Sequence, residues 1–264
     1  MGEDRDILYE QDGDVVILTV NRPERRNAMG LRALAEIVEC YERIKADKSV
    51  RAIVFTGAGT EAFCVGMDLR ETAERGGVEK GRDISEDVRE AMGAGPIRYD
   101  LWLPFIVAVN GVCAGRGLHY VGDADIVIAS ETASFTDTHV SVGQVSILEP
   151  ATLIPRIGLG NMLQMVVLGR HHRIDAQEAL RIHLVNEVVP PEQLLPRAVE
   201  VAHLAARNSP AAIEASKRGV WRAVMGEMEH IQYGWDLLRA HWQHPDSIEG
   251  PRAFTEKRPP VWTT

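Results

Sequence analysis

Two apolar runs in this 264-residue chain end in glycine turns. The first is Ala52-Ile53-Val54-Phe55-Thr56-Gly57, followed by Phe63-Cys64-Val65-Gly66-Met67-Asp68-Leu69. The second is Phe105-Ile106-Val107-Ala108-Val109-Asn110-Gly111, followed by Gly115-Arg116-Gly117-Leu118-His119. Buried strands that each finish in such a turn can aim two backbone N–H groups at one point. Two donors so placed form an oxyanion hole for an enolate or a tetrahedral oxyanion. Arg22, Arg25 and Arg26 add a basic cluster that could hold a phosphate, or could be a solvated loop. Neither Gly57-Ala58-Gly59 nor Gly115-Arg116-Gly117 completes a dinucleotide fingerprint, because no glycine follows at the required spacing.

The elements that must carry these turns are legible in part. Val15 to Val20 is a buried-strand pattern, closed by Arg22-Pro23. Residues 31–45 place Leu31, Leu34, Ile37, Val38, Tyr41 and Ile44 at helical spacing. Strands are expected at 52–56, 105–109 and 125–129, with a short one opening at Ser134-Phe135. Strands alternating with helical stretches predict an α/β domain with right-handed crossovers. Residues 71–95, rich in charge and glycine, read as a variable wall beside the site. After residue 160 the chain turns helical: over 161–168, over 176–183 capped by Asp175 with Glu178 three residues on, and over 193–207 after Pro190-Pro191. Ser209-Pro210 opens a helix over 211–224, and a further helix is expected over 228–242.

The net charge of −9 argues against nucleic acid as the main partner. The three cysteines, Cys40, Cys64 and Cys113, show neither a disulfide framework nor zinc spacing. The polar start, Met1-Gly2-Glu3-Asp4, lacks a signal-peptide core. No uninterrupted apolar stretch reaches the roughly 20 residues a bilayer span needs. A cytoplasmic enzyme without membrane attachment is the expectation.

Four segments in order carry a resemblance over nearly the whole chain. They are Asn21-Arg22-Pro23-Glu24-Arg25-Arg26-Asn27-Ala28-Met29, the Phe63 to Leu69 turn, Ala108-Val109-Asn110-Gly111 through Gly115-Arg116-Gly117, and Gly250-Pro251-Arg252-Ala253-Phe254-Thr255-Glu256-Lys257-Arg258. On these the sequence resembles the crotonase superfamily, the enoyl-CoA hydratase/isomerase family. The resemblance implies a spiral of β-β-α units over residues 1–200 and a helical trimerisation region over 201–264. It implies an acyl-CoA thioester as substrate, coenzyme A entering only as part of it, no metal, and a homotrimer or dimer of trimers. The thioester oxygen is expected between the N–H groups of Met67 and Arg116, the latter at a position where the family usually has glycine. Binding of the coenzyme A portion is expected from Arg25, Arg26, Ala28, Ala62, Cys64, Gly66, Asp68, Leu69 and Gly115. Phe254 and Lys257 are expected to join them from a neighbouring subunit. Asp68 has a second reading, as the cap of the helix that follows it.

The resemblance breaks at the two glutamates that family hydratases set across from the hole. Those positions fall on His119 and His139. Imidazole can accept or donate a proton near neutrality. Yet two neutral imidazoles offer one acceptor nitrogen each, unlike a carboxylate pair. A histidine near the second position also resembles crotonase-like carbon–carbon hydrolases, which pair it with an acid about ten positions on, and Glu149 stands there. Glu149 could equally be a carboxylate at a helix N-terminus. His119 and His139 lack a third metal ligand at a recognised spacing. Three readings therefore stand: hydration or isomerisation with His119 and His139 moving the proton, hydrolysis by His139 with Glu149, and coenzyme A binding without turnover.

Overall fold

The computed structural model describes residues 5–74, 95–225, 239, 242–243 and 245–261. Most of the expected variable wall and of the helix expected over 228–242 lies outside the described residues.

The chain opens with an antiparallel hairpin, β1 (Ile7–Asp12) and β2 (Val15–Val20), and helix α1 (Leu31–Ala46). Three successive turns of a coil follow, each giving two strands and a helix. They are β3 (Ala52–Gly57), β4 (Ala62–Cys64) and α2 (Leu69–Glu74); β5 (Phe105–Val109), β6 (Val112–Ala114) and α3 (Gly117–Asp123); β7 (Ile126–Ser130), β8 (Ser134–Thr136) and α4 (Leu148–Leu168). Then come β9 (Ile174–Asp175), α5 (Ala176–Arg181), β10 (Glu187–Val189), α6 (Leu194–Ala206), α7 (Pro210–Met225) and α8 (Asp246–Glu256). Stacking the turns produces two sheets, β1-β2-β3-β5-β7-β10 and β4-β6-β8-β9. The strands from successive turns pair in parallel. This is the expected β-β-α coil.

β3 and β5 are buried along their whole length because both faces of the first sheet are covered. On one side α1 presents Ala33, Ile37, Cys40, Tyr41 and Ile44, a stripe at helical spacing. On the other, α6 lays Ala198, Ala202 and Ala206 over Val15, Ala52, Val54, Ile106 and Ala108. Small side chains at every fourth position let this helix sit close to the strands.

The caps expected at Asp175 and Ser209 are present. The Glu178 N–H donates to Asp175 at 2.8 Å, and the Ala212 N–H donates to Ser209 Oγ at 3.3 Å. α7 is tied to the coil by Lys217, whose ammonium donates to Asp125 Oδ2 and to the Leu103 carbonyl, each at 2.6 Å. The helix read over 161–168 starts earlier, at Leu148. Pro155 lies inside it, and Gly158 leaves helical geometry altogether (φ 76°, ψ 162°), so the apolar period is broken where it would have been counted. Extended to His171, α4 is long and apolar enough to cross a bilayer, which the interrupted sequence pattern did not show. Its Glu149 and Arg156 are nevertheless turned to internal partners.

α8 packs against α2 and the 3-10 turn Val140–Val142 of its own chain. Gly250 permits this: a Cβ there would lie 1.7 Å from the Val142 carbonyl oxygen. Gln144 Nε2 adds a hydrogen bond to the Ser247 carbonyl at 2.8 Å.

Candidate active site

β4 and β6 bring the two glycine turns together. Ala62 pairs with Val112 and Cys64 with Cys113, so Phe63 is an extra residue on β4 and the strand bulges there. Past the bulge, Gly66 takes φ +100°, where a side chain is strained. A Cβ there would also stand 3.3 Å from the Arg116 amide nitrogen. The Met29 N–H donates to the Gly66 carbonyl (2.8 Å), and the Asp68 N–H donates to the Met29 carbonyl (3.0 Å). In this parallel bridge the N–H of Met67 points away from Met29. Arg116 has φ −53° and ψ −23°, an ordinary right-handed conformation, so nothing in the backbone demands glycine at that position. The adjoining Gly115 has φ +50°. Tyr120 anchors the following helix. Its ring stacks on Phe55 at 4.1 Å and meets Phe63 edge-on at 6.3 Å, contacts worth about 1 kcal/mol each beyond their burial.

One helical turn beyond Arg116 stands His119, whose N–H donates to the Arg116 carbonyl at 3.1 Å. α3 and α4 approach closely at Gly122, where a Cβ would lie 2.1 Å from Thr152 Oγ1. That contact sets buried His119 against the first turn of α4, and there His119 Nε2 meets Glu149 Oε1 at 2.9 Å. His139 Nε2 reaches the same oxygen at 3.3 Å. Its other nitrogen, Nδ1, lies 2.7 Å from Asp137 Oδ1. Asp137 is itself fixed: Oδ1 accepts the His139 N–H at 3.0 Å, and Oδ2 accepts the Ser146 hydroxyl at 2.5 Å. The structure thus gathers His119, His139 and Glu149, and shows Glu149 both in the first turn of a helix and against the two imidazoles. Sequence reasoning missed Asp137 and Ser146. The available signal was the Asp-x-His spacing, at which an aspartate can bond the backbone two residues on.

Burial alone would raise Glu149, but His119 and His139 outweigh it and hold the carboxyl well below its usual range. For His139, burial pulls the other way. The Glu149 and Asp137 carboxylates overcome it and lift the imidazole to about 9. At neutral pH His139 is therefore an imidazolium between two carboxylates. His119 must carry its proton on Nε2 to face an ionised Glu149. Its Nδ1 is buried and has no hydrogen-bond partner among the described residues.

The residues expected around the coenzyme A portion divide into two groups. Arg25 and Arg26 are exposed. Arg22, grouped with them by sequence, is turned inward. It donates to the Ala28 carbonyl at 2.5 Å and to Asp68 Oδ2 at 3.1 Å. Ala28, Ala62 and Cys64 are buried, and burial pushes the Cys64 thiol up to about 11. The Ala62 carbonyl is already taken by the amide of Asn27 at 2.7 Å, which also bonds the Ala58 carbonyl at 2.9 Å. Asp68 Oδ1 accepts the N–H groups of Arg70 and Glu71 at 3.2 and 3.3 Å. Its carboxylate is thus spent on capping α2 and pairing Arg22 rather than left open to a ligand. Leu69 is half-buried. Phe254 on α8 and Lys257 at its C-terminus are exposed, and α8 packs against α2 of its own chain.

The family model for enoyl-CoA hydratase/isomerase matches residues 10–264. The chain is 31% identical to the (E)-benzylidenesuccinyl-CoA hydratase of Thauera aromatica, over 97% of this chain and 98% of that one. It is 34% identical to the carnitinyl-CoA dehydratase of Proteus mirabilis, covering 95% of each. Among solved structures, a carnitinyl-CoA hydratase from Mycobacterium avium superposes with a TM-score of 0.85 at 29% identity, covering 98% of both chains.

Proposed function

Because the chain belongs to the enoyl-CoA hydratase/isomerase family, an acyl-CoA enzyme of the hydratase or lyase type, we propose that it transfers a proton at a carbon near the thioester through His139. The carrying observation is the placement of the His139 ring between the Asp137 and Glu149 carboxylates, at 2.7 and 3.3 Å. In this reading the thioester oxygen sits between the N–H groups of Met67 and Arg116, which stabilise the enolate as it forms. His139 Nε2, held by the longer of its two contacts, releases Glu149 and gives its proton to the substrate. That proton goes to the α-carbon in hydration, or to a leaving hydroxyl in dehydration. Glu149 is left to take a proton from water or from the substrate, with His119 keeping one of its oxygens in place. The chemistry thus uses His139, His119 and Glu149 where family hydratases use two glutamates. Arg25, Arg26, Phe254 and Lys257 are proposed to hold the coenzyme A portion at the surface, and Ala28, Leu69 and Gly115 to line its path. The apolar residues Leu159, Leu163 and Val167, exposed along α4, support a homo-oligomer, for which trimers or paired trimers are proposed.

The relatives' names point to branched or oxygen-bearing acyl groups, since the Thauera protein is named for benzylidenesuccinyl-CoA and the Proteus protein for carnitinyl-CoA. One observation favours a second reading. The direct His139–Glu149 contact of 3.3 Å is the pairing a hydrolase needs to activate water. A panel of enoyl-, hydroxyacyl- and β-ketoacyl-CoA esters incubated in D2O and followed by mass spectrometry separates the two. Deuterium entering the acyl chain, with gain or loss of water, supports the proposal. Release of a free acid without net hydration or dehydration supports the hydrolase, with no deuterium for thioester scission and one deuteron on the released carbanion carbon for carbon–carbon scission. Binding of every ester with neither outcome refutes both.

A further inference from the structure

We infer that Asp137, fixed by Ser146, is the positioning residue that holds His139 by Nδ1 and so makes Nε2 the nitrogen presented to substrate. This rests on the reading of His139 as the proton-transfer group.

The geometry separates the two ends of the imidazole. At Nδ1 the contact is short, 2.7 Å, and the partner is immobilised. Asp137 is 1% exposed, and three hydrogen bonds define its carboxylate, from His139 Nδ1, the His139 backbone N–H and the Ser146 hydroxyl. At Nε2 the contact is longer, 3.3 Å, and Glu149 Oε1 is shared with His119, which holds it more closely at 2.9 Å. The Ser146 hydroxyl and the His139 N–H hold the Asp137 carboxylate where Nδ1 meets it, whereas Glu149 answers to His119 first. The shorter contact, to the carboxylate fixed on both oxygens, is the one that persists. The charged and titratable groups facing His139 are Asp137 on its own segment and Glu149 on α4, with His119 of α3 acting through Glu149. When His139 loses a proton, the one on Nε2 goes, and the neutral ring keeps Nδ1–H. This is the tautomer a proton-transfer group needs if Nε2 is to accept a proton again from substrate or water.

Asp137→Asn tests this because asparagine keeps the carbonyl that receives the His139 N–H but removes the charge. The protein labelled with 15N-histidine is titrated by NMR, with His139→Gln identifying the His139 signals. In the wild type the neutral form should show a protonated Nδ1 and an unprotonated Nε2. In Asp137→Asn the midpoint should fall by at least about one pH unit, and the neutral ring should become a mixture of tautomers. Ser146→Ala, which leaves the carboxylate in place, should move the midpoint the same way by a smaller amount. An unchanged midpoint and tautomer in a folded Asp137→Asn protein overturns the inference, as does a wild-type neutral ring protonated on Nε2. Turnover is read separately. A fall of roughly 10- to 100-fold in kcat with little change in KM is expected for a misplaced general acid. If the NMR changes occur and turnover does not move, Asp137 still positions His139, and the role given to His139 itself fails.

Discussion

Neutralising the carboxylate shared by the two histidines tests the electrostatics of the site most directly. In Glu149→Gln the shape is kept and the charge is lost. The rise of His139 from 6.5 to about 9 corresponds to roughly 3 kcal/mol in favour of the imidazolium. Glu149 gives the largest single upward contribution to it. Its loss leaves the opposing effect of burial in place, so the His139 midpoint should fall by at least about one unit, or ~1.4 kcal/mol. In a profile of kcat/KM against pH, the alkaline limb near 9 should move to lower pH by that amount, and the acid limb set by Glu149 should vanish. Stability should follow with a definite sign. A raised histidine contributes fully below its unfolded value and loses the contribution as pH climbs through its folded value. A lowered glutamate contributes fully above its unfolded value and loses it on acidification. The stability gap between wild type and variant should therefore be widest at about pH 5 to 6.5 and narrow by roughly 1–2 kcal/mol at about pH 9.5. Denaturant melts across that range measure it. A gap independent of pH, together with an unmoved alkaline limb, would refute the placement of His139 between two carboxylates.

Three further substitutions probe how the site is held. Gly122→Ala puts a methyl into Thr152 and should cost about 1–3 kcal/mol while separating His119 from Glu149, seen as a lower Tm and a greater loss in kcat than in coenzyme A affinity. Asn27→Ala removes the two bonds to the Ala58 and Ala62 carbonyls, and alanine is disfavoured at its φ of 56°. A loss of about 2–3 kcal/mol and weaker coenzyme A binding by calorimetry are expected. Arg116→Ala keeps both the N–H and the backbone conformation, so kcat should stay within about fivefold of wild type; a loss beyond 100-fold would show that the side chain, and not the amide, does the work there.

The glycine turns, the buried strands and the Asp175 and Ser209 caps were legible because each is a local pattern of a few residues. Of the three-residue strands, β8 was read from Ser134-Phe135, while β4 and β6, merged with the glycine turns beside them, were not. Arg22 shows why site residues are harder. Beside Arg25 and Arg26 in sequence it looks like one of a phosphate-binding trio, but its partner Asp68 lies 46 residues away. Only the fold brings the two together, and the pairing removes both from the set of free ligand groups. Glu149 was readable as a spacing from His139, while its bond to His119 depends on how closely α3 meets α4.

The bulge at Phe63 has a bearing on how the protein reaches its native state. The Gly66–Met67 turn faces Arg116 only because β4 carries one residue more than β6 between their paired positions. Slipping either strand by one residue moves its turn by about 3.3 Å along the sheet and reverses which way each amide points. The proposed pairing of the Met67 and Arg116 amides therefore does not exist in a chain whose second sheet has zipped in the wrong register, even if the first sheet and the helices are in place. During refolding, recovery of turnover should lag recovery of helical signal until those few residues have found their partners, so the reaction itself becomes a clock for the last pairing step of the fold.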